Sequence, residues 1–65
     1  MWTVIYIAQN KTKAEMIKER LTDEGMLVKI QPLGKKAESD YGYHEILVPE
    51  SEAEEAQNLL YEIEY

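Results

Sequence analysis

Sixty-five residues with 13 acidic and 7 basic side chains, a net charge of −6 at pH 7 and no cysteine allow one domain at most. A chain of this length buries only about 60% of the surface its unfolded form exposes. Disulfides and thiolate metal sites are excluded, so self-association is the support to expect, and the acidic balance argues against a nucleic-acid binder, whose affinity rests on cations against phosphates.

The charge is unevenly placed. All seven basic residues lie between positions 11 and 36, where four acids accompany them, whereas residues 37–65 hold nine acids and no lysine or arginine. The molecule is therefore electrically two-sided. Residues 1–8 lack the basic start of a signal peptide and are broken by Thr3, and no segment approaches the length of a membrane span. With no cysteine to oxidise, a cytoplasmic location is expected.

In chain order, residues 2–8 are rich in β-branched and aromatic side chains, with Trp2, Val4 and Tyr6 on one face and Thr3, Ile5 and Ile7 on the other. This predicts a strand that is apolar on both faces. Thr12 and Glu15 have capping-box spacing, with Asn10 as a rival cap. Ala14, Ile17 and Leu21 recur at helical intervals before Gly25, predicting an amphipathic helix. Residues 26–31 alternate Met26, Val28 and Ile30 against Leu27, Lys29 and Gln31, ending at Pro32, which has no N–H to give a ladder. Residues 33–42 read as a loop. A third strand follows over 43–48, with Ile46 and Val48 alternating against Tyr43, Glu45 and Leu47 and Pro49 closing it. Ser51 and Glu54 form a second capping box ahead of Ala53, Ala56, Leu59, Leu60 and Ile63, predicting a second helix. Residues 61–65 also alternate as a strand would, but no Gly or Pro separates them from the helix, which favours its continuation.

Two helices and three strands are most simply satisfied by laying both helices on one sheet face, an α+β fold of βαββα order. The right-handed crossover rule makes the first two strands parallel. With the third strand between them, antiparallel to both, the arrangement is most of a ferredoxin-like split unit lacking a clear fourth strand.

Within this frame Asn10, Ala14 and Glu15, the 17–21 run, Gly25 and Met26, the 45–49 segment, and Glu55, Ala56, Leu59 and Leu60 resemble a family of small prokaryotic signal-transducing proteins, a domain of unknown function. The resemblance covers nearly the whole chain and implies a ferredoxin-like oligomer, likened to nitrogen-regulatory proteins that bind effectors near the loop between their second and third strands. It carries over no catalytic residue. Short relatives can bear a glutamate decarboxylase label, but pyridoxal-phosphate chemistry needs a Schiff-base lysine, a pyridinium partner and a phosphate cradle in a large cleft, which 65 residues do not supply.

The predicted topology brings the ends of the first two strands to the start of the third, so Asn10, Lys11, Thr12, Lys13, Lys35, Lys36, Tyr41 and His44 form a candidate site for a small anionic effector. Lysines in the first turn of a helix run against its dipole, and an anion there would repair the mismatch. The alternative is a set of solvated lysines on a polar edge. His44 is the single histidine and is expected to be an exposed strand residue. Its neighbour Glu45 points to the opposite face, which makes a poor chelate. No Ser-His-Asp or Cys-His arrangement can be assembled, and neither an enzyme, a metal nor a cofactor is expected.

With Ile5, Ile7, Met26, Val28, Ile30, Ile46 and Val48 toward the helices, Trp2, Val4, Tyr6, Leu27, Tyr43 and Leu47 remain on the helix-free face. Such an apolar patch predicts a partner. A second copy is the preferred occupant, through this face or an open strand edge. A different protein partner is the alternative, and base stacking on the aromatics is disfavoured by the acidic balance.

Overall fold

The computed structural model describes residues 1–33 and 42–64. Strand β1 (Trp2–Ala8) leads to helix α1 (Lys11–Asp23), strand β2 (Lys29–Pro32), strand β3 (His44–Pro49), a 3-10 turn (Glu50–Glu52) and helix α2 (Ala53–Glu64). The sheet order is β1-β3-β2, with β3 antiparallel to both neighbours. β1 and β2 therefore run parallel, as expected of strands joined by a crossover helix. Ala14, Ile17 and Leu21 of α1 and Ala56 and Leu60 of α2 share one buried cluster with Ile5, Ala8, Ile46 and Val48 of the sheet. Both helices thus cover the same face, the α+β arrangement that the apolar spacing predicts.

The start and stop of α1 are written locally. Asn10 is extended (φ −155°, ψ 171°) and its side-chain oxygen accepts the Lys13 N–H at 2.8 Å. Asn10 is thus the cap, and Thr12, the expected capping-box residue, lies within the first turn. Asparagine one step before the helix serves the third amide directly, which a threonine already in helical conformation cannot do. At the other end the Met26 N–H donates to the Leu21 carbonyl (3.1 Å) and the Gly25 N–H to that of Thr22 (2.9 Å), the paired bonds of a Schellman stop. Gly25 has φ +87°, a conformation that a residue with a Cβ adopts only at a cost. The chain that leaves this turn tucks Met26 into the core beside Leu21.

Several boundaries differ from those expected. β2 begins at Lys29 rather than at position 26, and the Leu27 N–H instead reaches the Glu52 carboxylate at 3.4 Å. β3 begins at His44 and retains Pro49, which stands opposite Trp2. Ser51 falls inside the 3-10 turn, and α2 opens at Ala53. The helix continues through Glu64, so the alternating pattern of 61–64 is carried on a helix.

The largest departure is inside β1. Cross-strand partners run Trp2–Pro49, Thr3–Val48 and Val4–Leu47, then resume at Tyr6–Ile46, Ile7–Glu45 and Ala8–His44. Ile5 is the extra residue of a β-bulge. A one-residue insertion reverses the facing of everything beyond it, so Tyr6 packs against the core while Ile7 points outward, half exposed. This corrects the expected placement of Tyr6 on the helix-free face and of Ile7 under the helices.

Candidate functional site

Two places gather side chains with chemical potential. The first is the sheet end where β1 and β2 finish. His44, the first residue of β3, stands opposite Ala8 on one side and Pro32 on the other. The three strand ends meet there, and residues 9–13 follow directly from β1. Tyr6, Gln9, Asn10 and Lys13 line a pocket of about 240 Å³. Drug-sized ligands occupy roughly 300–1,000 Å³, so this pocket suits a smaller molecule. The first turn of α1 has no acidic residue, and Lys11 and Thr12 are exposed beside the pocket. Tyr6 belongs to this site, a role concealed in the sequence by the bulge. Lys35, Lys36 and Tyr41 lie outside the described residues. A second depression between the helices is lined by Met16, Arg20, Glu62 and Ile63; its one cation and one anion cancel, so it offers an anion little.

His44 differs from expectation. It is 2% exposed, the one buried polar residue among those described, and its Nδ1 lies 2.7 Å from the Gly42 carbonyl. A carbonyl oxygen only accepts, so Nδ1 carries the proton and donates. The cause is strand alternation: His44 shares the inner face with Ile46 and Val48. The ring therefore fastens the approach to β3 from the core side instead of presenting itself to solvent with Lys11. Among the described residues no group of three or more His, Asp or Glu side chains is arranged to hold a metal ion, and no helix is long and apolar enough to cross a membrane.

The second place is the helix-free face. Val4, Leu47 and Lys29 form one cross-strand row, and Ile7, Glu45 and Gln31 the next. The Lys29 ammonium sits 5.8 Å from the centre of the Trp2 ring, within cation–π range. Lys29 is on one edge strand and Trp2 on the other, so the two side chains bridge the central strand above Leu47. Leu47 is accordingly only 9% exposed although it lies outside the main core cluster. The uncovered apolar side chains are instead concentrated on β1, with Trp2 at 45%, Val4 at 42% and Ile7 at 49% exposure. Leu27 and Tyr43 are also exposed but lie outside the strands. Ile7 is the apolar residue of this face that strand alternation alone misplaces. Alternation had placed Lys29 on the correct row, but nothing in the sequence signals its reach to Trp2.

Compared with protein-family models, with curated proteins and with solved structures, the chain matches none.

Proposed function

We propose that this chain is a small cytoplasmic regulatory or interaction module of the prokaryotic signal-transducing kind, working as a homo-oligomer. The observation that carries the reading is the row of half-exposed Trp2, Val4 and Ile7 along β1. A monomer with so small a core gains from covering such a row. Sedimentation velocity across the micromolar range is expected to give a rising average mass. A strict monomer at high micromolar concentration would remove the oligomer from the reading.

The pocket of Tyr6, Gln9, Asn10 and Lys13 supports a further part of the reading, that the module takes a small anionic effector at the start of α1. The neighbouring lysines and the helix dipole both favour negative charge there. An amide-resolved NMR titration with nucleotides, 2-oxo acids and amino acids is expected to give saturable shifts confined to residues 6–13 and their neighbours across the sheet end. A silent panel would leave a protein-interaction domain without a ligand.

A further inference from the structure

Building on self-association, we propose that two copies join through the free edge of β1. Residues 2–4 pair antiparallel with the same residues of a second copy about a two-fold axis at Thr3, giving one six-stranded sheet.

The backbone pattern identifies which groups are available. The Glu50 N–H donates to the Met1 carbonyl at 2.8 Å, so Met1 and Glu50 are a hydrogen-bonded pair. In an antiparallel ladder bonded and non-bonded pairs alternate, which makes Thr3–Val48 the next bonded pair. The N–H and C=O of Trp2 and of Val4 are therefore directed away from β3. Among the described residues no strand pairs with that edge. Trp2 lies opposite Pro49, at the far end of the sheet from Leu33 and Gly42, the described residues that flank positions 34–41.

The two sheet edges are protected unequally. β2 is four residues long and includes Lys29 and Pro32, both common guards of an exposed edge. β1 has seven residues and contains neither charge nor proline. Its second half is guarded by other means, the bulge at Ile5 and the Gln57 side-chain amide, which donates to the Ile5 carbonyl at 3.2 Å. Residues 2–4 form the uninterrupted open stretch, separated from Ile7 by the bulge, and pairing centred on them sets the register. With the axis at Thr3, Trp2 of each copy exchanges both backbone bonds with Val4 of the other, using every free group of the segment. The same pairing sets the Trp2 indole beside the Val4 side chain of the second copy on the helix-free face, covering two of the three exposed apolar residues. Each copy carries a net charge of −6, so the pairing works against like-charge repulsion and tightens as salt is raised.

The test is amide hydrogen exchange on the whole chain over a concentration series, read with sedimentation. Protection at Trp2 and Val4 is expected to grow in step with dimer fraction, while the Thr3 amide, bonded within the ladder, stays protected throughout. Val4→Pro removes an edge-facing donor, two hydrogen bonds per dimer, together with the valine side chain that meets Trp2 of the second copy, and should weaken association by about tenfold or more. If that variant does not fold, Val4→Lys, which adds an edge charge, should give the same loss. A dimer in which Trp2 and Val4 exchange independently of concentration would overturn the edge pairing and leave self-association standing. A strict monomer would overturn both.

Discussion

Ile46→Ala is expected to leave the chain largely unfolded at room temperature. Ile46 is fully buried in the central strand, with Tyr6 opposite on β1 and Ile30 opposite on β2. Truncating such a residue removes its transfer free energy and leaves a cavity, about 2–5 kcal/mol together. In a chain this short a single core rarely supplies more than about 3–5 kcal/mol, so the loss takes most of it. Circular dichroism with urea titration reads this directly, and Ile46→Val, at about 0.5–1.5 kcal/mol, should still fold with an earlier midpoint. An alanine variant that melts like the wild type would mean that the sheet does not pack on the helices through Ile46.

His44→Ala is the second large effect. The imidazole is buried and donates from Nδ1 to the Gly42 carbonyl at 2.7 Å. Alanine leaves both a void and an acceptor without its donor. An unsatisfied buried group costs about 1–3 kcal/mol, and the void adds to it, so a total of about 2–4 kcal/mol is expected. His44→Asn keeps a side-chain donor and should recover part of the loss. If His44→Ala were instead neutral to folding, the histidine would not fasten the start of β3, and an effector role beside Asn10 would regain ground. Nitrogen-detected NMR of the single imidazole provides an independent check, since Nδ1 should be the protonated nitrogen.

How far the sequence foretold this structure depends on the range of each interaction. Gly25, Pro32 and Pro49 punctuate the chain by rules local to the backbone, and Ala14, Ile17 and Leu21 announce the buried stripe of α1, so the elements and their order were legible. The parallel run of β1 and β2 followed from the crossover rule, whereas the place of β3 between them entered as the condition for a ferredoxin-like unit. Asn10 against Thr12 was a choice between adjacent local signals, which only the final backbone conformation decides. The bulge at Ile5 left no trace because β1 is apolar on both faces, so either phase looked equally good, and Tyr6 and Ile7 were assigned to opposite sides from those they occupy. His44 was legible in principle, since alternation from Ile46 and Val48 points it inward. Its polar identity obscured that. Lys29 reaching toward Trp2 is a contact between strands that are not neighbours, and no pattern within either segment encodes it.

The bulge also bears on how this chain tolerates changes in length. In a regular strand, loss of one residue inverts every side chain on one side of the break. β1 holds one residue more than its partner opposes, so a single-codon deletion within it can be absorbed by erasing the bulge. Removing Ile5 leaves Val4 outward, Tyr6 inward, Ile7 outward and Ala8 inward, as they now stand, at the cost of one buried side chain. An insertion finds no such slack. β1 is therefore a segment in which lineages should gain and lose residues asymmetrically, with shortened variants surviving where lengthened ones do not.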